Sequence, residues 1–381
     1  MIKPESLSTE WITGKKKKFG KDPTIIEGMI FALYLLEHLK LSGIDFIFKG
    51  GTSLVLLLDQ PKRFSVDIDI ILDPSIKKAD LESYLGKIVD SSSFIRMELD
   101  GRRSYQPGIP KAHYKFFYLS NFSSRDRDGH PVSNPEREIL LDIIFTENPY
   151  PVHIEKPLQT EWLQTDGKIT TVKMPDLNSI TGDKLTAFAP NTTGVPYGIE
   201  KEKEIMKQLF DIGCLFDHIA DIEVIKRAFD NCVRVEMEYR PDRKIESPDQ
   251  VLRDTIETSL IISRIVGLSS NEPNMELREV NTGINQFRHY VFEGTFGLMN
   301  AKLAASKAAY LAAMILTDYK GEIQRYNPGI PLTDYLITNP DYNSLNKRLK
   351  FVAGGEPLYY WYKTLEILYP IRPISKSANI P

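Results

Sequence analysis

The chain has 381 residues, and at roughly 150 residues per domain it should divide into two or three cores. Forty-eight Lys+Arg against 51 Asp+Glu leave a net charge of -3. That excludes a protein that grips nucleic acid with its whole surface, so any RNA or DNA partner needs a local patch. With 42% apolar, 26% charged and 10% aromatic residues, the composition is that of a folded chain without a disorder signature. The two cysteines, Cys214 and Cys232, stand in no C-x-x-C or Cys/His ligand spacing, which argues against a zinc site or a disulfide framework. The longest apolar runs, Met29 to Leu36 and Ala308 to Leu316, are about half of a membrane span. The opening MIKPESLSTEW lacks the apolar core of a signal peptide. The expectation is a cytoplasmic protein with no membrane partner.

Taken in order, the segment Gly14 to Asp22 superficially suggests a P-loop. Five residues separate its glycines instead of four, and Asp22 stands where Ser or Thr is needed, so Lys15 to Lys18 read as a solvated arm. Their functional reading is a contact to an RNA backbone. From Thr24 to Leu41 the pattern predicts an amphipathic helix interrupted by Glu27, Glu37 and His38, capped at Ser42-Gly43. A short strand over Asp45 to Phe48 follows, then a Gly-Gly turn, a helix from Thr52 to Leu58 and a strand from Ser65 to Leu72. A helix over Ile76 to Val89 precedes strands around Phe94 to Leu99, His113 to Leu119 and Glu138 to Phe145, with a polar loop before the last. Beyond Pro175 nearly everything reads as helix, and the boundary is expected near residue 220. The fold class is α/β (α+β), with a mixed sheet in residues 1–219, an arm in 1–23, and a helical domain in 220–381.

Chemistry concentrates in three places. Side chains alternate along a strand, so Ser65, Asp67 and Asp69 should share one face. Two carboxylates on one face repel unless a cation lies between them, and a hard divalent ion such as Mg²⁺ or Mn²⁺ suits oxygen ligands. The alternative is a pair of solvated aspartates. Second, Lys49-Gly50-Gly51-Thr52-Ser53 places paired glycines between strand and helix, where backbone amides approach a phosphate and the helix N-terminus adds partial positive charge. Such turns are also common punctuation. Third, EILLDIIF reads as a central strand apolar on both faces except for Asp142, a carboxylate that needs a metal or a donor. A glycine turn, an Asp-x-Asp strand and a third aspartate are what metal-assisted nucleotidyl transfer requires.

The runs KGGTSL and RFSVDID, with 14 residues between Thr52 and Asp67, resemble the signature of the AbiEii/AbiGii nucleotidyltransferase-like toxin family. That family falls within the polymerase-β-like superfamily, and the likeness fades toward residue 219. The resemblance implies NTP as substrate and Asp67, Asp69 and Asp142 as metal ligands. Lys49, Gly50, Gly51, Thr52, Ser53, Arg63 and Ser65 would bind the nucleotide, although Lys49 and Arg63 are equally readable as solvated strand-end residues. The family's K-L-x-A element is matched by Lys184-Leu185-Thr186-Ala187, with Lys184 on the apolar stripe of a helix starting near Asp176. Lys184 either reaches phosphate or snorkels to water. The later R/K-D-x-x-D-L element is matched at Lys207 and Asp211, with Gln208 in place of the first acidic residue. Asp211 would then orient Lys184 or serve local packing.

The implied activity is NMP transfer to a hydroxyl acceptor, RNA and in particular the tRNA 3′ end, causing growth arrest relieved by an antitoxin. Transfer to a protein or small molecule, or a scaffold that has lost catalysis, are the alternatives. The six histidines show no pairing in the sequence. The aromatic run Tyr359 to Tyr362 fits helix packing better than base stacking.

Overall fold

The computed structural model describes residues 1–58, 62–125, 130–267 and 273–370. Contacts divide the chain into two compact units. The first holds Met1–Ile180 and two short returns, Arg234–Tyr239 and His289–Thr295; the second holds Thr181–Val233, Arg240–Arg288 and the chain from Phe296 onward. The crossing thus comes earlier than residue 220, which lies inside the second unit. No described helix is long and apolar enough to cross a membrane.

The first unit opens with α1 (Thr9–Phe19) and α2 (Pro23–Leu41). Lys15 to Lys18 belong to α1 instead of an arm: Ser8 caps the helix by accepting from the Trp11 amide, and Ile12 is fully buried. α2 begins with Pro23 behind an Asp22 cap. It is buried almost all round, so Glu27 and Glu37 face protein and not water. Buried carboxylates need donors. Glu27 accepts from the Ser120 hydroxyl and from both nitrogens of Asn121, and Glu37 from the Ile2 amide and the Thr170 hydroxyl.

Next come β1 (Ile47–Lys49), α3 (Gly50–Leu57), β2 (Ile68–Leu72), α4 (Lys78–Ser91), β3 (Arg96–Leu99) and β4 (Lys111–Leu119). A two-residue pair, β5 (Ser124–Arg125) with β6 (Pro131–Val132), sits in the loop before β7 (Glu136–Phe145). The hairpin-like pair β8 (His153–Pro157) and β9 (Thr171–Pro175) was not expected, because its strands alternate charged and apolar residues only briefly.

The main sheet has the order β1-β2-β7-β4-β3, parallel only between β2 and β7. One face buries Phe48, Ile68, Ile70, Ala112, Tyr114, Ile139, Leu141 and Ile143, and α2 packs against β2 and β7. The other face is half-exposed, as β7 shows: Ile139, Leu141 and Ile143 are buried while Leu140, Asp142 and Ile144 are not. From Ile139 to Phe145 the strand is apolar on both faces apart from Asp142, as expected, but only one of those faces is fully buried. A carboxylate at 142 lies on the wetter face and costs less than one in a closed core.

α5 (Leu177–Ala187) carries the chain across into the second unit, which contains α6 (Glu202–Phe216), α8 (Pro248–Arg264), α9 (Met275–Phe287), α10 (Leu298–Leu316), α11 (Ser344–Leu349) and α12 (Glu356–Leu368). α7 (Ile222–Glu238) starts there, and its last turn belongs to the first unit. α10 is the central helix, packed by α6, α8 and α12. Its alanines permit close approach: a Cβ on Gly213 of α6 would stand 2.8 Å from the Ala304 Cβ. Tyr359 to Trp361 of α12 are buried, with Tyr360 stacked on Tyr310 and edge-on to Phe216, a packing role. Cys214 and Cys232 are free thiols.

Candidate active site

Strand pairing builds one row across the half-exposed face of the sheet. Lys49 on β1 pairs with Asp69 on β2, Asp69 with Asp142 on β7, and Asp142 with His113 on β4. Residues opposite one another on paired strands project to the same side. The row therefore reads cation, carboxylate, carboxylate, imidazole. All four residues are partly exposed. The His113 Nδ1 lies 2.5 Å from Asp142 Oδ1, while Asp142 Oδ2 receives no hydrogen bond from the described residues.

The Gly-Gly turn abuts this row. Gly50 follows Lys49 with φ +76°, a left-handed conformation that side chains resist, and a Cβ there would lie 2.0 Å from Asp69 Oδ2. A Cβ on Gly51 would lie 2.3 Å from the Arg63 guanidinium and 3.0 Å from Ser65 Oγ. Both glycines thus let the turn close onto a carboxylate on one side and a guanidinium on the other. Arg63 is 6% exposed; its Nη1 donates to the Phe64 carbonyl, and its backbone bridges to Val291 in the His289–Thr295 return.

Thr52 and Ser53 are fully buried. The Thr52 hydroxyl lies 2.5 Å from the Asp67 carbonyl, to which it donates, and 2.9 Å from Ser65 Oγ; Ser53 donates to the Gly50 carbonyl. Their side chains tie the turn to the approach of β2, at the start of α3, where the first helix amides lack intrahelical acceptors. The strand starts at Ile68, later than Ser65. Asp67 stands just before it, partly exposed.

Two features of this face were invisible to sequence reasoning. His113 has no partner in the sequence, although KAHYK alternation places Lys111, His113 and Lys115 on one face of β4. The return Arg234–Tyr239 carried no signal at all. Lys111 Nζ stands 4.8 Å over the Tyr239 ring and 3.9 Å from Glu236 Oε1. Burial pushes the Tyr239 phenol up, opposed by a hydrogen bond with Thr146.

In the second unit, Lys184 and Asp211 are paired at 2.9 Å, with side chains 6% and 1% exposed. Lys184 also donates to Gln208 Oε1 at 3.0 Å, so the residue that departs from the family's acidic pattern still supplies an acceptor. Lys207 pairs with Glu204 one turn earlier on α6.

A family model described as nucleotidyl transferase AbiEii toxin, type IV TA system, matches residues 34–280. The chain belongs to the AbiEii family. Its members are nucleotidyl transferase toxins of toxin–antitoxin systems, and the matched span contains every candidate residue from Lys49 to Asp211. No curated protein matches the chain.

Among the described residues no three His, Cys, Asp or Glu side chains form a ready-made metal cluster. The sheet supplies instead two adjacent carboxylates, Asp69 and Asp142, and Asp67 stands one residue before β2. That fits Mg²⁺ or Mn²⁺ bound through one or two carboxylates, the remaining ligands being water and substrate phosphates.

Proposed function

We propose that this AbiEii-family protein moves a nucleoside monophosphate from an NTP to a hydroxyl of RNA, in particular the 3′ end of tRNA, and that this transfer arrests growth. The observation that carries the reading is the row Lys49, Asp69, Asp142, His113 set against the Gly50-Gly51 turn. The amides at the start of α3 cradle the triphosphate, and the Arg63 guanidinium behind Gly51 adds positive charge to that cradle. Lys49 neutralises phosphate charge from the edge of the row. Asp69 and Asp142, with Asp67, would hold Mg²⁺ or Mn²⁺, which when bound supplies charge neutralisation of the triphosphate and a lowered pKa for the attacking hydroxyl. His113 fixes the orientation of Asp142. For Lys184 and Asp211 the support is the family motif. The protein acts in the cytoplasm, where NTP and tRNA are present, and a cognate antitoxin restrains it.

Incubation with each labelled NTP, Mg²⁺, total tRNA and whole-cell protein tests this. The expected result is label in RNA, lost with chelator and with Asp69→Asn or Asp142→Asn. Label in a protein band or in a small molecule assigns a different acceptor. Undiminished toxicity of Asp67→Ala and Asp69→Ala in cells would leave only a binding role.

A further inference from the structure

The half-exposed face of the sheet carries a second cluster, on the next rung beyond Lys49, Asp69, Asp142 and His113. There the strands pair as Ile47, Ile71, Ile144 and Lys111. Lys111 stands two residues before His113, so both side chains leave β4 on one side, roughly 7 Å apart along the strand. The Arg234–Tyr239 return, part of the same unit, meets this lysine. Lys111 Nζ is 4.8 Å from the centroid of the Tyr239 ring and 3.9 Å from Glu236 Oε1. The cluster is open to water: the Lys111 and Glu236 side chains are 22% and 18% exposed, and Tyr239 is half-buried.

Strand direction puts this cluster across the row from the glycine turn. β1 runs antiparallel to β2, so Lys49 leads into Gly50 and Gly51 toward the Asp67 end of β2, where Gly51 abuts Ser65. Lys111 lies at the Ile71 end. In nucleotidyl transfer the attacking and leaving oxygens are in line on opposite sides of the α-phosphorus. The acceptor hydroxyl oxygen forms the new P–O bond as the bond to pyrophosphate breaks; pyrophosphate keeps that electron pair, and the hydroxyl proton passes to water. With the triphosphate cradled at the turn, pyrophosphate departs on the turn side and the acceptor comes in from the side of Lys111. An accessible ammonium beside an aromatic ring suits a nucleic-acid end, whose phosphodiester oxygens accept from the cation and whose base stacks on the ring.

We propose that Lys111 and Tyr239 hold the acceptor end of the RNA: Lys111 takes the phosphodiester that precedes the terminal nucleotide, and Tyr239 takes its base. Glu236 steers the ammonium toward the ring. The site rests on RNA being the acceptor and on the triphosphate lying at the Gly50-Gly51 turn.

Steady-state NMP transfer by the full chain, with tRNA varied at saturating NTP and NTP varied at saturating tRNA, reads the two substrates separately. Lys111→Gln and Tyr239→Ala should each raise the KM for tRNA about tenfold and leave the KM for NTP unchanged. Lys111→Arg and Tyr239→Phe keep the charge and the ring, and should recover most of the affinity. Anisotropy of fluorescein-labelled tRNA across a salt series, without NTP or divalent ion, should show the same losses, with the salt slope lowered by about 0.7 in Lys111→Gln alone. Tyr239→Ala changes a half-buried ring at the end of the return, so it decides the matter if Lys111→Gln, within β4, fails to fold. A tRNA KM unchanged in both variants overturns the proposal. So does a raised NTP KM with the tRNA KM unchanged, which assigns the cluster to the incoming nucleotide, and so does a lowered kcat with both KM values unchanged, which assigns it a structural role. Wild type that labels no RNA removes both this site and the RNA acceptor. Wild type that labels RNA, with variants equal to it, removes the site alone.

Discussion

The Nδ1 of His113 lies 2.5 Å from Oδ1 of Asp142, across the antiparallel pairing of β4 with β7. The bond fixes one oxygen of the carboxylate of Asp142, the residue that pairs with Asp69 on β2. A ligand carboxylate held by a neighbouring donor is pre-oriented, which reduces what substrate binding must organise.

His113→Ala should therefore lower NMP transfer by about tenfold to a hundredfold, the usual consequence of losing a group that orients a ligand. His113→Asn, whose amide still donates near the Nδ1 position, should recover part of the loss. Initial rates across a Mg²⁺ titration check this. If the alanine variant matches wild type at every Mg²⁺ concentration, the orienting role is wrong.

Gly50 sits at φ +76° with no room for a Cβ beside the Asp69 carboxylate. Gly50→Ala should cost about 1–3 kcal/mol of stability through backbone strain. Activity should fall further than stability alone explains, because the added methyl displaces the Asp69 carboxylate. Urea denaturation beside transfer rates at full folding separates the two effects.

The Lys184–Asp211 pair is buried on both sides. Asp211→Ala leaves an ammonium without its carboxylate and should destabilise the protein by about 3–5 kcal/mol. The double variant Lys184→Met, Asp211→Leu replaces the pair with apolar groups of similar size and should refold with near wild-type stability. If it also transfers NMP normally, the pair serves packing; if it is folded and inactive, Lys184 has the phosphate role that the family motif implies.

Asp254, 4% exposed on α8, accepts from the Asn191 amide and side chain and from Thr192, tying down the loop that follows α5. Burial raises its carboxyl above the ordinary value of 3.8, opposed by those hydrogen bonds. A raised carboxyl means that the folded state holds its proton more tightly than the unfolded state. Its stabilising contribution is complete below pH 3.8 and declines as pH rises through the folded value. Urea denaturation at closely spaced pH should show that decline in wild type and not in Asp254→Asn. A stability difference between them that is constant with pH would contradict the assignment.

Local pattern was enough to read the elements that position the site. Hydrophobic periodicity placed α2, α4 and the strands of the sheet to within a few residues, and Gly-Gly followed by Thr-Ser marked the start of α3. It misjudged cases where a neighbour decides the outcome. Lys15 to Lys18 look like a free arm until Trp11 and Ile12 anchor the helix that carries them. Glu27 and Glu37 interrupt the apolar face of their helix, and the donors that make this possible, Ser120, Asn121, Ile2 and Thr170, come from elsewhere in the chain.

The sequence by itself determined which residues are candidates for the chemistry: an Asp-x-Asp segment, a third aspartate on an apolar strand, a glycine turn, and the family they resemble. These are local features, fixed by residue type and spacing. Tertiary structure alone decided that Asp69 and Asp142 share a register, that Gly50 is a glycine because Asp69 lies against it, and that a histidine with no sequence partner bonds to Asp142. Alternation tells which residues share a face of one strand. Which strand lies beside which depends on the burial of the opposite face, where α2 packs against β2 and β7, and no short stretch of sequence records that choice.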